Sequence, residues 1–341
     1  MYNCKKTTFV LYKQLLVSIN NKALGNKLEF CLFYLCLLLN IWIPFSLSFL
    51  PSYDGPAHLY FSRVINYMLS GNTLLNQFYV FNSVPVPNLA DHCLLTLFGT
   101  IFSSSVSEKL LLLIYLVGLP LCFRSLVSYF NPQGKALSIF IFPLTHCLSF
   151  YMGGFNFYLS FLFLLVSVTY YVRRKTLMPE VYTPVNYMAF VLLTLLCYFS
   201  NGIAFFLLGL ILSIYEVSMF ITYLHNKTSP KTTMKLLYKR YILFALAWLP
   251  GLLCMYVFNK DIHIPGDNSD ITFSEHLRWL YNFRPLWIYT DNELVFTRTI
   301  LALVVISFFL SVFYRFKIKK ISTFFFTDIF MIICLISLTC F

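Results

Sequence analysis

The chain has 341 residues, of which 59% are hydrophobic and 11% charged, with a formal net charge of +12. Soluble domains average about 25% charged residues, and the apolar residues here form long blocks, so a soluble globular domain is excluded. The basic residues stand between these blocks, which indicates membrane topology rather than nucleic-acid binding. The ten cysteines form no CxxC pair and lie mostly inside apolar blocks, so neither a disulfide framework nor a cysteine metal site is expected.

Blocks of this length repeat along the whole chain, and a hydrocarbon core of about 30 Å needs roughly 20 residues per helix. We therefore predict an all-α, polytopic helical membrane protein, with about nine transmembrane helices in a single transmembrane domain over 1–341. The predicted spans are 30–50, 109–130, 136–152, 154–172, 186–200, 202–224, 241–258, 294–314 and 323–341. The region 186–224 is either one long helix or two short ones hinged at Ser200-Asn201-Gly202. The chain ends in the last block without a polar tail, as a truncated product would.

The order of basic segments predicts the orientation. The first block is too long for a signal-peptide core, so it is a retained span that follows a basic N-terminus. Alternate connections place 19 of the 25 Lys and Arg residues on one side, which the positive-inside rule makes cytoplasmic. The N-terminus is then cytoplasmic. The outer segments 51–108 and 259–293 are too long for turns and are where a reaction on the outer face would be built.

The segment after the first span carries a helix-start pattern. Asp54 precedes Pro56 by two residues, as a helix N-cap precedes a proline in the first turn. The helix is expected to run to about Leu69. Asp54, His58, Ser62 and Asn66 recur every four residues and form one polar stripe, which is typical of an amphipathic helix lying in the membrane interface.

Two interpretations of this stripe are open. In the simpler one, Asp54 caps the helix and His58 is a solvated neighbour. In the functional one, the stripe faces a cavity and Asp54 is a general base that deprotonates an acceptor hydroxyl. A carboxylate suits this role when a partly apolar site raises its pKa toward neutrality, and the adjacent bilayer supplies such a site.

The outer loop continues with Pro85 and Pro87, which stop a helix and favour an extended entry. Asn88, Asp91 and His92 follow and open the next apolar stretch, so we take them, with His58, as candidate substrate-binding residues. Asp-His sets also bind metals. We expect no resident cofactor or metal here, and a divalent ion held by these acids and histidines with Asp54 is the alternative.

Three further substrate-binding candidates stand in other connections. Asn156 follows Gly153-Gly154, either in a plain hairpin turn or lining the same outer cavity. Arg278 and Arg284 lie among aromatic residues in the second outer segment. They belong either to an aromatic belt at the interface or to a docking surface, with arginine for a lipid phosphate. His146 within the third span is either a functional group or a histidine hydrogen-bonded between helices.

These residues resemble a known group of membrane enzymes. Tyr53-Asp54-Gly55-Pro56-Ala57-His58-Leu59, Pro87-Asn88 with His92, Glu108-Lys109-Leu110 and Gly154-Phe155-Asn156-Phe157 are similar to motifs of bacterial multi-spanning proteins of the GT-C class of glycosyltransferases. The resemblance runs from the first span to at least the sixth. One departure is Asn201, which stands where a histidine is expected after Tyr-Phe-Ser.

The resemblance implies a polyprenyl-phosphate-linked sugar as donor, and transfer with inversion on the outer face of the bacterial cytoplasmic membrane. It implies an acidic catalytic residue just after the first span, the position of Asp54. The implied partners are the lipid-linked sugar and membrane lipid, without nucleic acid. Two alternatives stay open. One is a transporter or flippase of a lipid-linked sugar, and the other is a non-catalytic membrane partner, which the altered residue at Asn201 favours.

Overall fold

The computed structural model describes residues 25–42, 44–177, 183–225, 230–261, 272–282 and 290–318. Within these ranges the regular secondary structure is helical and no strand occurs. The predicted ninth span at 323–341 and the candidate residue Arg284 lie outside the described residues.

Twelve α-helices follow one another in the described ranges, with short 3-10 turns between some of them. They are α1 (Gly25–Ser46), α2 (Gly55–Leu69), α3 (Ala90–Gly99), α4 (Ser104–Phe130), α5 (Phe142–Thr145), α6 (Leu148–Met152), α7 (Phe155–Leu177), α8 (Pro184–Ser200), α9 (Gly202–His225), α10 (Pro230–Asp261), α11 (Phe273–Asn282) and α12 (Leu294–Ile318).

The protein is a helical membrane protein. In the described part of the chain, five helical segments are long and apolar enough to cross a bilayer: Gly25–Ser46, Ser104–Phe130, Pro132–Met152, Phe155–Arg174 and Tyr241–Lys260. Pro184–Ser200 and Gly202–Ser218 are shorter apolar helices. Only 17% of the apolar segment in Tyr241–Lys260 is buried inside the protein. An exposed apolar surface of this extent is typical of a lipid-facing helix, whereas soluble monomers rarely expose one.

The helix boundaries follow from local capping chemistry. The Thr183 hydroxyl accepts a hydrogen bond from the backbone N–H of Asn186 at 3.2 Å, and Pro184 fills the first helical position of α8. At the hinge, the Asn201 side chain accepts from the N–H of Ile203 at 2.8 Å. Asn201 is extended, with φ −164°, so its backbone ends α8 while its side chain caps α9. The region is therefore two helices.

The third predicted span is irregular. Pro132–Ile141 forms 3-10 turns, α5 ends at Thr145, and the chain breaks at His146 before α6. The break places the His146 ring against Phe150 with centroids 5.2 Å apart, and its Nδ1 lies 3.4 Å from the Tyr151 hydroxyl. His146 is thus a packed, hydrogen-bonded residue of the bundle.

Two clusters of buried side chains form the core, and α7 contributes to both. The first cluster joins α1, α4, α6 and the start of α7, with Phe33, Tyr115, Phe150 and Tyr158 among its largest members. The second joins the rest of α7 to α8, α9 and α10, with Phe190, Phe205 and Trp248. Because α7 packs against both clusters, it is the most buried of the five candidate spans, with 72% of its apolar segment buried.

Several polar groups inside the bundle are paired. Arg124, which lies within the predicted span 109–130 and was counted among the 19 basic residues of one side, is buried in α4 and forms a bidentate ion pair with Glu29 of α1. Its guanidinium also lies 4.2 Å above the centre of the Phe33 ring. Asn40 donates to the carbonyl of Leu116 at 2.9 Å. Such pairing is what the absence of water in hydrocarbon requires.

The connections predicted to be outer meet at one end of the bundle. The N–H of Leu50, after α1, donates to the Glu108 carboxylate at the start of α4 at 3.1 Å. The N–H of Asp54 donates to the carbonyl of Met152 at the end of α6 at 2.8 Å. The N–H of Leu89 donates to the carbonyl of Phe199 at the end of α8 at 2.7 Å. This end of the bundle carries the candidate site.

Arg63 joins three elements of this end. Its guanidinium donates to the Ser104 hydroxyl at 2.8 Å, to the Gly99 carbonyl at 2.7 Å and to the Phe102 carbonyl at 2.8 Å. It thereby ties α2 to the end of α3 and the start of α4. Nothing in the sequence distinguished Arg63 from other interfacial arginines, because its acceptors, two backbone carbonyls and one serine hydroxyl, lie 36 to 41 residues away.

Arg63→Met is expected to loosen this corner, because it removes three charge-assisted hydrogen bonds, two to backbone carbonyls and one to the Ser104 hydroxyl. The expected cost is about 1–3 kcal/mol. Thermal unfolding in detergent and protease cleavage between α2 and α4 measure it. Arg278→Met, at an exposed position of α11, is the matched control. An equal fall in melting temperature for both variants would contradict the assigned role of Arg63.

Candidate functional site

Asp54 stands at the end of the bundle with its carboxylate exposed. The helix α2 begins directly after it, with Pro56 in the first turn, as predicted, but the Asp54 side chain makes no capping hydrogen bond. Its backbone is held by the N–H bond to Met152. Asp54 is nevertheless the N-cap residue of α2, because its backbone carbonyl accepts from the N–H groups of Ala57 and His58 at 3.0 and 3.2 Å. The side chain is free to contact another molecule.

Two glycines let the Asp54 segment approach α6 this closely. Gly153 has φ +81°, a left-handed conformation that glycine adopts without strain, and it ends α6. A Cβ on Gly153 would lie 2.4 Å from the backbone nitrogen of Gly55 and 2.9 Å from the Ser52 hydroxyl. A Cβ on Gly55 would in turn lie 2.2 Å from that hydroxyl. No side chain fits at either position without a shift.

The polar stripe of α2 faces α3. Ser62 is buried, and the Thr96 hydroxyl donates to its carbonyl at 3.4 Å. Asn66 donates to the Thr96 carbonyl at 3.1 Å. The opposite face exposes large apolar and aromatic side chains, namely Tyr60, Phe61, Tyr67 and Leu69. The helix therefore has the two faces that an interfacial helix needs, with its polar face turned into the protein.

Three predicted residues meet where α2 crosses the start of α3. Nδ1 of His58 lies 2.6 Å from Oδ2 of Asp91, and Nε2 of His92 lies 3.9 Å from Oδ1 of the same carboxylate. The two imidazole rings are 5.0 Å apart between centroids. Phe155 also stacks on the His58 ring, with centroids 5.3 Å apart. We call His58, Asp91 and His92 the His-Asp-His cluster.

The contact between His58 and Asp91 is short but poorly aligned. Neither Nδ1 of His58 nor Oδ2 of Asp91 has a hydrogen bond of good geometry among the described residues. At 2.6 Å this means that the carboxylate oxygen lies off the direction of the ring N–H. The contact is thus an ion pair rather than a directed hydrogen bond, and His58 is not the solvated neighbour of the simpler interpretation.

Asn156 braces the cluster. Its Nδ2 donates to Oδ1 of Asp91 at 2.5 Å and to the Asn88 carbonyl at 2.6 Å. Its Oδ1 accepts from the backbone N–H of Asp91 at 2.9 Å. Asn156 thus lies in the same site as the first outer loop, as the functional interpretation requires. Asp91 is fully buried and Asn156 is 5% exposed. Their side chains therefore position the residues they contact, namely His58, His92 and Asn88.

The loop before α3 is fixed from the other side. Asn88 adopts φ +63°, which asparagine tolerates better than most residues, and this turns its carbonyl toward Asn156. The Tyr198 hydroxyl donates to the Pro85 carbonyl at 2.8 Å. The loop therefore bridges α7 and α8, and Asn201, beside Tyr198 in sequence, acts as a helix cap in this chain.

The two histidines differ electrostatically. Burial of His58 disfavours its charged form, but the contact with Asp91 and the charges of Asp91 and Asp54 outweigh this, so the pKa of His58 is raised above its ordinary value. Burial lowers the pKa of His92, and the attraction of Asp91 is too weak to reverse this. The protonated, cationic form of His58 is therefore favoured beside the Asp91 carboxylate. At His92 the neutral imidazole is favoured.

Of the arginine candidates, Arg278 is described, and it lies away from this cluster. Arg278 is exposed on α11, which packs against α12. No hydrogen bond or ion pair in the described ranges links it to the His-Asp-His cluster. Sequence reasoning missed the structural acid Glu108 and the ring of Phe155. Both stand in the motifs that carry the resemblance, which is the one signal that could have marked them.

In this site the exposed carboxylate of Asp54 stands one helical turn before His58. His58 and His92 are partly exposed, and both contact the buried carboxylate of Asp91. This arrangement can accept a proton at Asp54 and hold a cationic or hydrogen-bonding partner at the cluster. Comparisons of the chain with protein-family models, with curated proteins and with solved structures found no match. The chemistry of the site therefore carries the functional proposal.

Proposed function

We propose that the chain is an inverting membrane glycosyltransferase of the GT-C type, which moves a sugar from a polyprenyl-phosphate donor to an acceptor hydroxyl. The observation that carries the proposal is the Asp54 carboxylate. It is exposed, makes no capping bond, and is held at the end of the apolar bundle by backbone contacts with α6. A general base must be this accessible to reach an acceptor proton.

The proposed membrane arrangement has about nine spans, with the N-terminus in the cytoplasm and Asp54 on the outer face of a bacterial cytoplasmic membrane. The meeting of Leu50, Asp54, Met152 and Phe199 at one end of the bundle supports the part of this topology that covers the first six spans. The basic segments then lie at the opposite end, as the positive-inside rule favours.

In the proposed reaction, Asp54 takes the proton of the acceptor hydroxyl as its oxygen attacks the anomeric carbon. The new C–O bond forms on the face opposite the phosphate, and the bond between the anomeric carbon and the phosphate oxygen breaks. Polyprenyl phosphate leaves with that electron pair. The attack from the opposite face inverts the anomeric configuration.

Other candidate residues take supporting roles in this proposal. His58 and His92, each about one-fifth exposed, and Asn88 contact the sugar or acceptor. Asp91 and Asn156 position them, because both are buried and bonded to each other. Arg278 and Arg284 bind the donor phosphate in the second outer segment, where a guanidinium matches phosphate geometry.

A deletion strain tests the proposal. Loss of the chain is expected to remove one sugar from surface glycans and to cause its polyprenyl-phosphate form to accumulate. Mass spectrometry of released glycans and of extracted lipids measures both and identifies the donor sugar. Unchanged glycans and lipids in the deletion strain would overturn the proposal and favour the non-catalytic partner.

A further inference from the structure

Several buried polar atoms at one place in the fold make no well-formed hydrogen bond. In the part of the chain that the structure describes, six buried side-chain nitrogen or oxygen atoms have no hydrogen bond. Three of them belong to the His-Asp-His cluster, namely Nδ1 of His58, Oδ2 of Asp91 and Nδ1 of His92. Nδ1 of His58 and Oδ2 of Asp91 face each other at 2.6 Å without hydrogen-bond geometry. Buried polar atoms without well-formed bonds are rare and costly, so their concentration at one point favours a bound ion.

We propose that the His-Asp-His cluster is a binding site for one divalent transition-metal ion, with Zn²⁺ the ion that fits best. Each of the three residues offers one ligand atom, and these atoms lie within 4.8 Å of one another. Ligand atoms around tetrahedral zinc stand about 3.3 Å apart, given bond lengths of about 2.0–2.1 Å. Small rotations of the two imidazoles bring the atoms to that spacing.

The donor set selects the class of ion. Two imidazole nitrogens with one carboxylate oxygen suit zinc and its neighbours in the first transition row, whereas magnesium and calcium prefer oxygen ligands throughout. Three protein ligands are also the number in catalytic zinc sites, which keep a further position for water or substrate. Both histidines are about one-fifth exposed, so that position opens at the surface.

The carboxylate is already held as a ligand would be. Oδ1 of Asp91 accepts from Asn156 Nδ2 at 2.5 Å and from the backbone N–H of His92 at 2.6 Å. These bonds satisfy one oxygen and turn Oδ2 toward His58. Hydrogen bonds from neighbouring groups to a ligand fix its orientation toward the metal. Phe155 stacked on His58 fixes the ring in the same way.

Zinc stoichiometry tests the site without any transfer assay, so the result stands apart from the proposed glycosyltransferase activity. The full chain, purified in detergent with a histidine-free tag and stripped with EDTA, is dialysed against Zn²⁺ and analysed by mass spectrometry for bound metal. We expect one tightly held Zn²⁺ per chain and a higher melting temperature with Zn²⁺ than without. His58→Gln and His92→Gln are expected to weaken binding at least tenfold.

His146→Gln is the matched control, since His146 is also partly buried but bonds within the third span, and it should bind like the wild type. Equal zinc binding by the wild type and both cluster variants would overturn the site. X-ray absorption of the zinc-loaded wild type decides the matter if the variants fail to reach the membrane. Scattering from two imidazoles supports the site, and a shell of water oxygens alone refutes it.

Discussion

Asp54→Asn is expected to reduce sugar transfer by about 10²–10⁴-fold, the usual contribution of a general base, while the protein reaches the membrane in normal amount. The amide keeps the shape of the carboxylate but cannot take the acceptor proton. Stability should be unaffected, because the Asp54 side chain is exposed and makes no capping hydrogen bond. Complementation of the deletion strain, read as the rate of sugar appearance on the surface, measures the effect.

Asp291→Asn is the matched control for this substitution. Asp291 is also an exposed acid in a segment predicted to be outer, in a 3-10 turn before α12. The control variant should transfer at the wild-type rate. Transfer by Asp54→Asn at the rate of the Asp291→Asn variant would remove Asp54 from the catalytic role.

Gly153→Ala is expected to destabilise the end of the bundle that carries the candidate site more than any exposed substitution. The left-handed conformation of Gly153 costs an alanine about 1–2 kcal/mol. In addition, its Cβ would lie 2.4 Å from the backbone nitrogen of Gly55, and backbone cannot yield as a flexible side chain does. Separation of these segments breaks the 2.8 Å bond from Asp54 to Met152, so transfer should fall together with stability.

Gly154→Ala separates this effect from the loss of a glycine as such. A Cβ on Gly154 would meet its nearest atoms, on Phe157 and Ser149, at ordinary contact distances of 3.5 Å. Fluorescence-detected thermal unfolding in detergent should show a clear drop in melting temperature for Gly153→Ala and little change for Gly154→Ala. Similar melting temperatures for the two variants would show that the close approach of Gly55 does not hold in the membrane.

Much of the helix layout follows from local sequence. The start of α2 after Asp54 is confirmed, because a proline two residues later restricts where that helix can begin. The predicted span 202–224 matches α9 (Gly202–His225), and 294–314 lies within α12 (Leu294–Ile318). The sequence left open whether the helix breaks at Asn201, because asparagine can stand at a helix cap or in a helix interior. The backbone conformation that the rest of the fold imposes at Asn201 decides between the two.

The irregular third span and the buried Arg124 were not predictable from local sequence. Hydropathy reports the length of an apolar block but not its regularity, so the break at His146 leaves no trace in it. Arg124 was counted with the basic connections although it lies within the predicted span 109–130. Its burial depends on Glu29, which lies 95 residues earlier in the chain.

The candidate site was predicted in its members but not in its geometry. The four-residue spacing of His58 and Ser62 gave one face of α2, and the structure packs that face against α3. The bonds from Asn156 to Asp91 join residues 65 positions apart, and no periodicity reports such a pairing. The sequence therefore placed Asp91 and His92 beside a helix start without showing that Asn156 braces them.

Reconstitution of the purified chain into vesicles, with the lipid-linked sugar that accumulates in the deletion strain, tests the central proposal most directly. The measurement is formation of a new glycosidic bond on added acceptor, with release of polyprenyl phosphate. The proposal predicts bond formation by the wild type and its loss in Asp54→Asn. Movement of the intact sugar lipid across the bilayer without a new bond, equally in both proteins, would contradict it and identify a transporter.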